Sequence, residues 1–220
     1  MTTNPLAAAQ QLRALPPEER DILIRAHYGE ELPAGLLIAV DVSLEDYMAH
    51  YAAEHCEWVE GFVVKMSPAE LRHNDLIYFL HLLLRAHFSL RLLGRVIGQP
   101  FVMRLPAFPR RCRQPDLLVV LNTNPHELKE TYLSGPADIC IEVVSEGRTE
   151  RDHGEKFREY EKGGVPEYWI IDPIRRESRF YRLNSEGLYT RQSEDANGHY
   201  RTPALPSPDA VLEAVNKMLA

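Results

Sequence analysis

Two carboxylates sit in apolar surroundings where a charge is costly. Asp116 heads the run Gln114-Pro115-Asp116-Leu117-Leu118-Val119-Val120-Leu121. Pro115 carries no N–H, which suits the first residue of a strand or a sheet edge, and the run predicts a strand over Gln114 to Leu121. An ionised acid beside five apolar residues needs a partner, a metal ion or water; Asp116 reads equally as a turn or capping aspartate. Glu142 lies in mid-strand in Asp138-Ile139-Cys140-Ile141-Glu142-Val143-Val144-Ser145. Alternation puts Cys140, Glu142 and Val144 on one face and Ile139, Ile141 and Val143 on the other. Burying Glu142 uncompensated would cost on the order of several kcal/mol, so either an arginine or a metal ion is expected beside it.

Acids on adjacent strands can face each other across roughly 5 Å. Such a pair suits Mg²⁺, which takes oxygen ligands and needs only one or two carboxylates, and which polarises phosphate oxygens and acidifies water. A lysine would complete the arrangement by orienting the attacking water or neutralising charge on the phosphate. Two residues past Glu142 the strand offers Val144, so the candidate is Lys156 on the next helix. Asp152 shares its helical face four residues earlier, and by themselves the two read as an exposed ion pair. No GxSxG elbow surrounds Ser145, and no glycine-rich phosphate loop is present.

The elements that must position these residues follow from periodicity and breakers. Residues 1–42 form an N-terminal helical extension, with a helix expected from Glu18 to His27; 43–200 form the main domain; 201–220 form a C-terminal tail with a short helix. Ser43 ahead of Glu45 and Asp46 reads as a helix cap. Trp58 to Met66 reads as a strand around Gly61, ending at Ser67-Pro68. Glu70 to Leu93 is the clearest helix, with Leu71, Leu76, Phe79, Leu80, Leu83 and Leu84 at three- and four-residue spacings. Strands follow at Arg95 to Leu105, Gln114 to Leu121 and Asp138 to Val144, then a helix from Thr149 to Gly163, a strand at Tyr168 to Ile171 and a hairpin, Phe180 to Leu183 with Leu188 to Gln192. Tyr160 and Trp169 read as core packing. Helix, three strands, helix, strand implies an α/β domain with a mixed sheet flanked by helices.

The 220 residues carry a net charge of −7, which excludes a generally basic coat and leaves only a local basic groove for nucleic acid. Arg111, Arg113, Arg148 and Arg151 flank the two acids and are the candidate phosphate contacts; each also reads as a solvated surface charge. The three cysteines have long spacings and no zinc pattern, so reduced thiols in a cytoplasmic protein are expected. No signal peptide is apparent, and the most apolar stretch, Leu76 to Leu84, is too short to span a bilayer.

Gln114-Pro115-Asp116, then Ile141-Glu142-Val143-Val144-Ser145, Asp152, Lys156, Tyr160, Gly163-Gly164-Val165 and Glu167-Tyr168-Trp169-Ile170-Ile171-Asp172-Pro173 together resemble the Uma-two family of the restriction-endonuclease-like PD-(D/E)xK superfamily. Val59-Glu60-Gly61, Met66-Ser67-Pro68 and His73 fit the same pattern. The resemblance implies an αβββαβ core, and a Mg²⁺- or Mn²⁺-dependent endonuclease hydrolysing DNA. Asp116 and Glu142 would be metal ligands and Lys156 the signature lysine, moved from the strand, at Val144, to the helix. Glu60, His73 and Asp152 would line the cleft; for His73 the alternative is a hydrogen-bonded helix histidine. A homodimer would supply the two sites that two-strand cleavage needs. The rival reading is a nuclease-fold protein that binds nucleic acid or a protein partner without cutting it.

Overall fold

The computed structural model describes residues 15, 16 and 19 and the segments 36–66, 70–91, 93–145, 154–195 and 200–204. In chain order its elements are β1 (Leu36–Ala39), α1 (Leu44–His50), β2 (Cys56–Val59), β3 (Phe62–Lys65), α2 (Leu71–Arg91), β4 (Gly94–Gly98), β5 (Val102–Met103), β6 (Arg111–Cys112), β7 (Leu117–Leu121), β8 (Glu127–Leu128), β9 (Tyr132–Ser134), β10 (Ile139–Val143), α3 (Lys156–Gly163), β11 (Glu167–Asp172), β12 (Glu177–Leu183) and β13 (Tyr189–Gln192). Asp152, Arg148, Arg151, Ser67-Pro68, the C-terminal helix and nearly all of the helix expected at Glu18 to His27 lie outside the described residues.

The central sheet has six strands in the order β13-β12-β11-β10-β7-β4. Neighbours are antiparallel except β10 and β11, which run parallel. A parallel pair needs a crossover, and α3 lies in the connection between them. The expected order of helix, three strands, helix and strand is therefore present as α2, β4, β7, β10, α3 and β11. On one face Leu76, Leu80, Leu84 and Phe88 of α2, each four residues apart, pack on Leu117, Val119, Ile139, Ile141 and Val143. On the other, Tyr160 of α3 joins Leu118, Val120, Cys140, Val144 and Tyr168. Both faces are covered, which is why the middle strands read as unbroken apolar runs. Leu71, counted with the helix stripe from sequence, is 79% exposed instead.

The four-stranded sheet, in the order β1-β3-β2-β6, corrects two expectations. Leu36–Ala39, assigned to a helical extension, is a strand paired with β3. The single strand expected over Trp58 to Met66 is a hairpin, with Val59 opposite Phe62 and a two-residue turn between them. Glu60 (φ 52°) and Gly61 (φ 94°) both have positive φ, the requirement of a type I′ turn, whose twist matches that of the strands. The strand expected over Arg95 to Leu105 is likewise two, β4 and β5. The Ser43 cap is as expected, its Oγ accepting from Asp46 N–H at 3.0 Å. A third sheet, β5-β9-β8, is tied to the four-stranded one by backbone bonds between Met103 and Arg113 at 2.7 and 3.1 Å.

A Cβ at Gly61 would meet nothing closer than 3.8 Å, so Gly61→Ala adds only the left-handed backbone cost of about 1–2 kcal/mol. The expected outcome is a melting temperature lower by roughly 2–8 °C; an unchanged melt would mean that this turn does not hold the hairpin.

Candidate active site

Register brings the two predicted acids together. Ile139 pairs with Val119 and Ile141 with Leu117, and continuing that ladder by one residue sets Asp116 opposite Glu142. Asp116 Oδ2 accepts the backbone N–H of Val143 at 2.7 Å, which places it within about 5 Å of the Glu142 Cα. Its other oxygen accepts from the side-chain amide of Gln99, in the connection after β4. His73, at the start of α2, brings Nε2 to 3.7 Å from that same oxygen, while its Nδ1 lies 3.0 Å from Ser145 Oγ. His73 thus stands beside Asp116 and is hydrogen-bonded as well, so the two readings of it coincide.

Glu142 projects toward α3. The Lys156 ammonium lies 2.7 Å from Glu142 Oε2, and the Tyr160 hydroxyl donates to Glu142 Oε1 at 2.8 Å. Lys156 and Tyr160 are four apart on one helical face, so a single helix supplies both contacts. Burial and the adjacent Glu142 hold the Tyr160 phenol well above its ordinary range, which keeps it a proton donor. Tyr160, expected to be core packing alone, is therefore also a ligand of the carboxylate. Asp116 is 6% exposed, Glu142 2% and Lys156 4%. The helix-borne lysine reaches the strand-borne acid, and Val144, where a strand lysine would stand, packs in the core.

A third carboxylate enters from the four-stranded sheet. Glu57 on β2 is fully buried, and its Oε1 is 3.6 Å from the Lys156 ammonium. Its Oε2 accepts from Arg113 at 2.6 Å. Sequence reasoning passed Glu57 over, although a lone acid in Cys56-Glu57-Trp58-Val59 carries the same signal as Glu142. Arg113 also donates to Glu159 at 2.7 and 2.6 Å and to Glu155 at 2.5 Å, both around the start of α3. Burial alone would lower the Arg113 pKa, but Glu57, Glu159 and Glu155 raise it well above the ordinary value. Burial likewise pushes the Glu159 carboxyl up, yet its hydrogen bonds and charge contacts with Arg113 and Arg111 outweigh this and leave it lowered.

These contacts correct the expected phosphate-binding set. Arg113 is 1% exposed and each of its three side-chain nitrogens donates to a carboxylate, so its role here is to join Glu57, Glu155 and Glu159. Arg111 is hydrogen-bonded to Glu159 and to Glu155, the latter at 3.3 Å. Glu60 stands at the hairpin turn, exposed, and pairs with Arg110 at 2.9 Å and Arg111 at 3.6 Å rather than with the central acids.

Asp116 and Glu142 are the carboxylates that could hold a hard divalent ion. Asp116 and Glu142 offer carboxylate oxygens, and no cluster of three or more His, Cys, Asp or Glu able to cage an ion occurs among the described residues. Two carboxylates are what Mg²⁺ needs, whereas Zn²⁺ or Ca²⁺ would call for more protein ligands.

A helix, three antiparallel strands, a second helix and a parallel fourth strand make the αβββαβ core expected from the sequence, a mixed α/β fold shared with a solved nuclease-like chain. Residues 44–213 match the model of the Uma2 family, described as "Putative restriction endonuclease", and the chain belongs to that family. Its fold is similar to the crystal structure of "a putative nuclease belonging to DUF820 from Anabaena variabilis ATCC 29413", with a TM-score of 0.66 and 14% identity over 81% of this chain and 99% of the other. A search among curated proteins finds no match. No helix among the described residues is long and apolar enough to cross a membrane.

Replacing Arg113 by Ala would leave Glu57 and Glu159 buried without their main cation, an expected loss of about 3–5 kcal/mol measurable by urea unfolding. The lowered Glu159 carboxyl gives the pH dependence its sign. Its contribution is present above the pKa of the unfolded chain and is lost as pH falls through the lower folded value. Glu159→Gln should therefore flatten the acid limb of stability against pH; a limb as steep as the parent's would assign it to other groups.

Proposed function

We propose that this protein is a metal-dependent DNA endonuclease that hydrolyses phosphodiester bonds, with Asp116, Glu142 and Lys156 as its catalytic residues. The observation that carries the reading is the 2.7 Å contact of the Lys156 ammonium with Glu142, beside an Asp116 bonded to the backbone of the next residue. Asp116 and Glu142 would hold Mg²⁺ or Mn²⁺, whose chemistry there is neutralisation of phosphate charge and acidification of water. Lys156 would bring its ammonium to the reacting phosphate, where it would orient water and offset charge developing on oxygen. Glu57, Glu142 and Tyr160 hold that lysine and its carboxylate partner in a buried setting, so little reorganisation is needed during the reaction. Membership of the Uma2 family supports nucleic acid as the substrate class. Cutting both strands of a duplex calls for two sites, which a two-fold pair of chains would supply.

The same contact lends weight to a second reading, in which the fold binds nucleic acid or a protein without cutting it. An ammonium 2.7 Å from Glu142 Oε2 competes for an oxygen that an ion needs. Calorimetric titration separates the two: binding of Mg²⁺ or Mn²⁺ that is lost in Asp116→Ala and Glu142→Ala supports the enzyme, and no binding supports the alternative.

Plasmid cleavage with Mg²⁺ or Mn²⁺ is expected for the parent and reduced about 100-fold or more in Asp116→Ala, Glu142→Ala and Lys156→Ala. A parent that cuts together with three variants that cut equally well would overturn these roles.

A further inference from the structure

Arg111 and Arg113 are spent on carboxylates, which turns attention to the other cations among the described residues. Strand β4 is an end strand of the six-stranded sheet and has no second neighbour among the described residues. Its open edge lies along a cavity of about 810 Å³ bounded by Arg85 and Phe88 of α2, by Arg95 and Ile97 of β4 itself, and by Lys129 and Glu130 beyond β8. Arg85 and Arg95 are exposed, and neither guanidinium takes part in an ion pair among the described residues. Lys129 pairs with Glu127 at 3.3 Å, an exposed contact that contributes little. The far end of β4 leads into a second cleft of about 430 Å³ that includes His73, His81, Gly98 and Gln99. Gln99 and His73 both touch Asp116. One edge strand thus runs from Arg95, with Arg85 of α2 across the same cavity, toward the candidate catalytic acid.

We propose that the edge of β4 is the track along which the nucleic-acid backbone runs away from the scissile phosphate, with Arg85 and Arg95 as its phosphate contacts. This rests on the nuclease reading and deepens it. Four steps of extended chain lead from Arg95 to Gln99, about 13 Å, which matches about four base-pair steps of rise along the axis of a duplex. In a chain of net charge −7, binding a polyanion depends on such local cations. The open backbone edge also has the form that accepts a strand from a protein partner; the two unpaired arginines and the continuity with Asp116 favour the polyanion.

The test is fluorescence anisotropy of a labelled DNA duplex with the full chain, in EDTA so that binding is read without hydrolysis, across a salt series. The Arg85→Glu/Arg95→Glu double variant should bind at least about ten-fold more weakly. The slope of log Kd on log salt should fall by about 2, since each neutralised phosphate contributes about 0.9. The control is Arg176→Glu/Arg191→Glu. These are exposed positions toward the opposite edge of the same sheet, and the variant makes the same change in net charge. It should keep the parent's affinity within about two-fold and its slope. Thermal melts check that both variants fold. If the Arg85/Arg95 variant binds like the parent, or if both variants weaken equally, the track is not along β4 and the proposal fails. A parent that binds through Arg85 and Arg95 but cuts no plasmid would sink the catalytic reading and leave the track standing. A parent that binds no duplex would sink both.

Discussion

The Arg113 guanidinium is the joint on which the site depends. It is buried between two layers and bonded to Glu57 of the four-stranded sheet and to Glu159 and Glu155 around the start of α3. Burying this many charges is worthwhile only when donors and acceptors are matched, and here the planar fork of Arg113 meets three acids at 2.5–2.7 Å. The consequence is positional. The helix that carries Lys156 is anchored, through one side chain, to the sheet that carries Glu57. Lysine could not replace Arg113, because a single ammonium has no such fork.

The central sheet contributes differently. Asp116 and Glu142 are set by strand register, and Asp116 meets the Val143 amide, the Gln99 side chain and His73 of α2. Glu142 is held by the Tyr160 phenol and the Lys156 ammonium. Glu142 thus takes both of these contacts from α3, whereas Asp116 takes one from the backbone of the neighbouring strand. Displacement of α3 relative to β10 would loosen Glu142 and Lys156 together while leaving Asp116 in place.

Much of this arrangement is legible from residue types. Asp116 and Glu142 stand out as acids that an apolar run cannot tolerate without help, and the unbroken hydrophobicity of Leu117 to Leu121 and Ile139 to Val143 follows from burial on both faces. Glu57 obeys the same rule but was obscured, because Trp58 to Met66 reads as one strand until the positive φ of both Glu60 and Gly61 shows a reversal. Its partner Arg113 is 56 residues away in sequence, and no local pattern reports so distant a contact. The clustering of arginines around Asp116 suggested a phosphate surface because sequence gives charge without depth. Arg113 is buried and Arg85 is exposed, and that difference arises only from tertiary packing.

The three cysteines have a practical consequence. All are buried and free, Cys56 and Cys112 in the four-stranded sheet and Cys140 in the central one. Burial pushes the Cys56 thiol up to about 11 and the Cys112 thiol up to about 12, and holds the Cys140 thiol well above its ordinary value. Alkylating reagents attack the thiolate, so the native fold shields all three thiols, and labelling at each position counts the opening of the sheet that holds it. The chain carries its own reporters of unfolding, one pair for the outer layer and one for the nucleus of the fold.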